Sequence, residues 1–218
     1  VNDLILDLRY NGGGYLFIAS ELSYMIAGET RTSNKVFNKL RYNNKRTADN
    51  AKAAEPFYNQ SCILNNNFQC TSSAPLPTLN LGRVFVLTSK GTCSASEAII
   101  NGLEGIDVQV IRLGATTCGK PYGFTAKDNC GISYFPIEFK GENHKGFGDF
   151  ADGFIATCAV PDDFSKALGD ETEGMLAAAL SRRDTGNCPV VGLSKAMVDA
   201  GFIVREPVRE NAFQIDRN

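Results

Sequence analysis

The chain has 218 residues, 43% of them hydrophobic and 21% charged, with a formal net charge of −2. That balance describes an ordinary globular protein and excludes a basic binder of nucleic acid or anionic lipid. No apolar run reaches the roughly 18 residues that crossing a bilayer requires, so no transmembrane segment is expected.

Seven cysteines stand against a single histidine, and none forms a C-x-x-C pair. This pattern argues for disulfides in an oxidising compartment and against a zinc site. Local spacing suggests the pairs Cys62–Cys70, Cys118–Cys130 and Cys158–Cys188, leaving Cys93 over, although spacing alone does not decide connectivity. Val1 leads within three residues into a strand, which reads as a mature or excised fragment lacking an N-terminal portion.

In chain order, Leu4-Ile5-Leu6-Asp7-Leu8 is an apolar run with one acid, the pattern of a strand buried on both faces. Arg9-Tyr10-Asn11-Gly12-Gly13-Gly14 follows, and residues 15–27 then show helical spacing. Three glycines allow a close backbone approach and outward N–H groups. No Lys-Ser/Thr comes after them, and the run is neither a Walker loop nor a dinucleotide fingerprint. It is either an oxyanion-binding loop or a plain turn between strand and helix. Residues 34–42 predict an exposed strand and 47–55 a polar helical segment. Residues 59–77, rich in Asn, Ser and Pro, predict a surface excursion within 56–80.

Val84-Phe85-Val86-Leu87 predicts a strand and residues 98–103 a helix, with Gly91-Thr92-Cys93-Ser94-Ala95-Ser96-Glu97 between them. Ser94 falls where turn becomes helix. A hydroxyl there lies beside unpaired N–H groups at the positive end of the helix dipole, which suits the negative charge that develops in acyl transfer. The same residues also read as Ser-x-x-Glu, a capping box with no chemistry. Val108-Gln109-Val110-Ile111-Arg112-Leu113 is a further strand, and Gly114-Ala115-Thr116-Thr117-Cys118-Gly119-Lys120-Pro121 a glycine-bearing loop. A parallel strand–helix–strand unit brings that loop to the same sheet edge as Ser94. Lys120 serves as a general base if burial lowers its pKa from ~10.4 toward ~7–8, and is otherwise a solvated loop lysine.

Other arrangements are possible. Cys93 as nucleophile needs a histidine, and His144 also offers a Ser94–His144 pairing. Asp149 and Asp152 flank a turn that supplies too few oxygens for calcium. Residues 132–139 predict a strand, 170–182 an alanine-rich helix and 194–200 a short helix before a polar tail.

Three segments together carry a specific likeness. Asp7-Leu8-Arg9-Tyr10-Asn11-Gly12-Gly13-Gly14, Ser94-Ala95-Ser96-Glu97 and Gly114-Ala115-Thr116-Thr117-Cys118-Gly119-Lys120 resemble the D-L-R-x-N-x-G-G, S-A-S-E and G-x-x-T-x-G-K motifs of the carboxy-terminal processing proteases. These tail-specific serine proteases are matched over about residues 3–125. The resemblance implies an α/β fold, a crotonase- or ClpP-like core of ββα-type units with a mixed sheet flanked by helices. It also implies a serine endopeptidase with Ser94 as nucleophile and Lys120 as base. The N–H of Ala95 and one from Gly12, Gly13 or Gly14 form the oxyanion hole, and Glu104 is a possible third member. Neither metal nor cofactor is implied. Protein or peptide substrates cut near their C-termini are expected, in a periplasmic or cell-envelope setting. Residues 1–218 then form the catalytic core, without the family's PDZ module or the N-terminal part of the core.

The chain departs from the family in places. Lys120 lies one residue further from Ser94 than is usual, Pro121 and Tyr122 stand where Gly-Thr is common, and Phe124 replaces a glutamine that orients the lysine. Two rival readings remain: a non-catalytic ligand- or peptide-binding module that retains the fold, and a crotonase-type acyl-CoA enzyme. For the latter, paired glutamates in the glycine loops are missing.

Overall fold

Val84-Phe85-Val86-Leu87 carries apolar side chains on both faces of its strand. The computed structural model, which describes residues 1–66 and 69–189, buries all four. In chain order the elements are β1 (Ile5–Asp7), α1 (Leu16–Ala27), the one-turn α2 (Glu29–Thr32), β2 (Val36–Tyr42), a 3-10 helix (Thr47–Lys52), β3 (Ala54–Pro56), β4 (Gln60–Leu64) and β5 (Cys70–Pro75). Then come β6 (Arg83–Thr88), α3 (Ala95–Glu104), β7 (Gln109–Gly114), β8 (Tyr122–Gly123), β9 (Lys127–Asn129), β10 (Ile132–Tyr134), β11 (Phe139–Glu142), β12 (Cys158–Ala159) and α4 (Gly174–Thr185).

The central sheet runs β1-β6-β7-β12 with every neighbouring pair parallel. Phe85 lies between Ile5 and Ile111 in register. Alternation along the strands sorts their side chains between two cores. Val84, Val86 and Val110 pack with Leu16 and Ile26 of α1 and Ile100 and Leu103 of α3. Phe85, Leu87, Ile111 and Leu113 pack with Met175, Ala178 and Ala179 of α4. Each of the larger of these side chains, Val, Leu, Ile, Phe or Met, contributes about 1.5–3 kcal/mol by leaving water. Helices on both faces explain why these strands read as unbroken apolar runs.

Antiparallel pairing is confined to other sheets, the largest ordered β3-β2-β11-β8. The strand expected at 34–42 is β2, but Phe37, Asn38 and Leu40 are buried. It lies between β3 and β11 with α3 packed against it, so its charged residues misrepresent its place. The run 132–139 divides, β10 folding back on β9 while β11 joins β2. The excursion at 59–77 is a two-stranded hairpin, β4 on β5. The helix expected at 170–182 begins later because the Glu173 side chain caps it, accepting from Met175 N at 3.3 Å and Leu176 N at 2.9 Å. The helix expected at 194–200 lies outside the described residues.

Cys62–Cys70 and Cys158–Cys188 are bridged as their spacing suggested, whereas the third bridge is Cys93–Cys118, not Cys118–Cys130. Parallel β6 and β7 set the loops that follow them side by side, which brings the Cα atoms of Cys93 and Cys118 to 5.2 Å. Cys130, in the exposed turn between β9 and β10, is the cysteine left unbridged among the described residues. No helix among them is long and apolar enough to cross a membrane.

Candidate active site

Because β1, β6 and β7 are adjacent and parallel, the loops at their carboxyl ends share one rim. That rim is where open α/β sheets bind ligands. It gathers the glycine loop after β1, the serine turn after β6 and the lysine loop after β7.

Ser94 is the N-cap of α3, with φ 59° and ψ −115°. A non-glycine residue held at positive φ costs of order 1–3 kcal/mol and persists where the surroundings impose it. The side chain is fully buried. Its Oγ lies in the capping-box position toward the amide of Glu97, yet no hydrogen bond of full geometry reaches it. The reciprocal half of the box is made, since Ser94 N donates to Glu97 Oε2 at 3.0 Å.

Glu97 does more than cap. Its 0% exposed side chain accepts from Lys120 N on Oε2 at 2.8 Å, and from Gly119 N at 2.8 Å and the Thr117 hydroxyl at 2.6 Å on Oε1. With Ser94 N, four donors and the first turn of α3 offset the cost of burying this carboxylate. Two amides on one oxygen place the nitrogens of Ser94 and Lys120 within about 6 Å of each other. In sequence Glu97 reads only as a cap; its role across the site becomes visible once β7 lies beside β6.

The Lys120 side chain is half-buried. Burial pushes its pKa below the ordinary value of 10.5, and the nearby charge of Glu97 only partly opposes the shift. Its Nζ lies 5.3 Å from the centroid of the Phe124 ring. This buried aromatic stands where the resemblance places a glutamine, so the face of a ring borders the amine.

The glycine loop closes the rim. Asn11 O accepts from Cys93 N at 3.1 Å and from the Ser96 hydroxyl at 3.0 Å. Gly13 has φ +126°, and a Cβ there would meet Ser94 Cβ at 2.7 Å and Ala95 N at 3.2 Å. Only glycine lets this backbone lie across the serine. The Gly13 amide already donates to Asn11 Oδ1 at 2.9 Å. Among the described residues, the amides of Gly12, Gly14 and Ala95 find no acceptor.

Beneath the loop lies Arg9, which the sequence offered as the arginine of the D-L-R-x-N-x-G-G motif without assigning it a role. It is 2% exposed and pairs with Asp7 at 2.7 Å, Asp162 at 2.9 Å and Glu173 at 2.7 Å. Burial works to lower its pKa, but hydrogen bonds and charge from Asp7 and Glu173 outweigh it and hold Arg9 ionised. Arg9 thereby ties the base of the glycine loop to the start of α4. Two of its partners are more than 150 positions away, so the motif supplied the arginine but not what it would meet.

Glu104 is not brought to the serine. It ends α3, about 15 Å along the axis from Ser94, with its carboxylate on the Arg112 guanidinium. His144 packs against β2, its Nδ1 accepting from Val36 N at 3.2 Å. Asp149 is exposed and reaches Lys140. Donor atoms of Cys93, Glu97 and Cys118 lie within 4.8 Å of one another. With the sulfurs bonded to each other and the carboxylate held by four donors, that cluster does not fit a resident metal.

The family model for peptidase family S41 matches residues 1–126, more than half of the chain. The chain belongs to peptidase family S41. The S41 match contains all three rim loops and ends just beyond Lys120. Among solved structures, a candidate S41 protease from Bacteroides fragilis NCTC 9343 is 28% identical with a TM-score of 0.71, over 86% of this chain and 46% of that one. The photosystem II D1 C-terminal processing protease is 20% identical with a TM-score of 0.47, over 72% and 34%. A lipoprotein from Streptococcus agalactiae is 13% identical with a TM-score of 0.42, over 71% and 48%. The chain thus spans less than half the length of each of these structures. Comparison with curated proteins gave no match.

Proposed function

We propose that this S41 chain is the catalytic portion of a serine endopeptidase with a Ser94–Lys120 dyad, cutting polypeptides near an unstructured C-terminus. The observation that carries the reading is the shared Glu97 oxygen, through which one buried carboxylate holds the Ser94 and Lys120 backbones together. Neutral Lys120, favoured by burial, takes the Oγ proton as Ser94 adds to the scissile carbonyl. The oxyanion meets the Ala95 amide and that of Gly12 or Gly14. Lys120 then protonates the departing amine, and the acyl-enzyme is released by water that Lys120 activates. Ser94 is fully buried with Gly13 packed close to it, so in this reading the rim must open to admit a substrate carbonyl to Oγ. C-terminal preference follows from the family resemblance. The three disulfides support an oxidising, extracytoplasmic setting.

Labelling of the full-length polypeptide with a fluorophosphonate, beside hydrolysis of matched peptides with free and amidated C-termini, tests the proposal. Label on Ser94 that is lost in Ser94→Ala and Lys120→Ala, with faster cleavage of the free-carboxylate peptide, is expected. Peptide binding without label or cleavage would instead identify a non-catalytic module on the protease fold.

A further inference from the structure

We propose that the Cys93–Cys118 bridge is a redox-controlled site that keeps the serine turn and the lysine loop in register, so that reduction by a dithiol silences the hydrolase. The inference rests on the dyad reading above. Cys93 immediately precedes Ser94, and Cys118 precedes Lys120 by two residues. The bridge therefore joins the two reacting loops directly. Besides the bonds to Glu97, Cys118 N donates to Thr92 O at 3.0 Å across these loops.

The two sulfurs differ in access. Cys118 is exposed and Cys93 is half-buried, so an external thiolate meets Cys118 Sγ first. Attack there breaks the S–S bond, and the Cys93 sulfur leaves with the electron pair and takes up a proton. The second thiol of the reductant then attacks the mixed disulfide, closing the reductant's own disulfide and releasing the Cys118 thiol. Two electrons and two protons have passed from the dithiol to the protein.

The consequence for the site comes from Glu97. Cys118 Sγ lies 3.4 Å from Glu97 Oε2, the oxygen that accepts the Ser94 and Lys120 amides. As part of a disulfide the sulfur has no proton to give. Once reduced it is a thiol donor aimed at that oxygen, or a thiolate repelled by the carboxylate. Either outcome competes with the bonds that fix the dyad. A displacement of about 1 Å in such a pair costs up to about 100-fold in rate. The other bridges lack this leverage, since Cys62–Cys70 closes the β4–β5 hairpin and Cys158–Cys188 joins β12 to the segment after α4.

The test poises the full-length protein in graded dithiothreitol buffers. Each sample is read three ways: fluorophosphonate label on Ser94, alkylation of each cysteine by mass spectrometry, and hydrogen exchange across residues 115–121. Labelling is expected to fall at least tenfold in step with alkylation of Cys93 and Cys118, and to return on reoxidation. A Cys93→Ala/Cys118→Ala variant should label slowly in every buffer, while Cys62→Ser/Cys70→Ser keeps the full response. Complete alkylation of Cys93 and Cys118 with unchanged labelling overturns the proposal, as does a loss that follows either other bridge. If Ser94 takes no label in any buffer, the hydrolase reading fails and exchange decides for the bridge. Gly119 and Lys120 amides exchanging at least tenfold faster after reduction would support its positioning role, and equal exchange would overturn it.

Discussion

The β4–β5 hairpin and the rim above β6 and β7 each carry a disulfide, with Cα separations of 5.5 and 5.2 Å. In the hairpin, strands β4 and β5 are largely exposed and their backbone ladder already sets the register. The bridge there constrains a hairpin that carries none of the three rim loops. At the rim, the bridge spans loops whose neighbours Thr92, Ser94, Glu97 and Thr117 are buried, and it joins the two loops that the proposed dyad needs in register. A covalent link matters for function according to what it holds in register, not according to its own strength.

Perturbations from the centre of the rim outward sharpen that contrast. Ser94→Ala should lower peptide hydrolysis by about 10⁴-fold or more, since removing a nucleophile leaves only binding and oxyanion stabilisation; steady-state assays with the labelling control check this. Glu97→Gln keeps the shape but sets an amide donor against the amide N–H groups it now accepts. A stability loss of about 1–3 kcal/mol in urea titrations is expected, with a fall in kcat of about 100-fold. The pH profile separates these effects. In the proposed dyad deprotonated Lys120 is the active form, so the rate should rise with pH through a limb centred below 10.5. Glu97 favours the ammonium, so its neutralisation should move the limb to still lower pH.

Gly13→Ala should cost about 1–3 kcal/mol from positive φ, and its Cβ also meets Ser94, so kcat should fall with it. Gly14→Ala carries similar backbone strain, φ +145°, into open space, and should lose stability with a smaller effect on rate. Stopped-assay kinetics beside melting curves distinguish the two. Removing Cys62–Cys70 should lower stability by at most about 2–3 kcal/mol and leave hydrolysis within twofold; activity that collapses would show the hairpin to be part of the working site. The smallest change is expected from Glu104→Gln. Losing a partly exposed pair with Arg112 should cost about 0–1 kcal/mol and shift kcat/KM less than threefold. A larger loss there would return Glu104 to the reacting groups.

Much of this architecture was legible because apolar runs and glycine loops have local causes. The strand at 84–87, the helix after Ser94 and the strand at 108–113 appear where their patterns place them, and their order alone implied a shared rim for Ser94 and Lys120. Polar composition misled at β2, whose Lys39 and Arg41 suggested a surface strand although sheet neighbours flank it on both sides. Spacing also misled at Cys118, which bonds the residue 25 positions earlier and not the nearer Cys130.

What the amino-acid order determined by itself were the pieces that local periodicity and turn chemistry specify: a serine opening a helix, a lysine on a glycine-bearing loop and three glycines after a strand. Tertiary structure alone decided that Glu97 serves both loops, that Arg9 answers to Asp162 and Glu173, and that Cys93 finds Cys118. Each of those contacts joins residues that become neighbours only when parallel strands pack side by side, and no local pattern encodes which distant chain will arrive there.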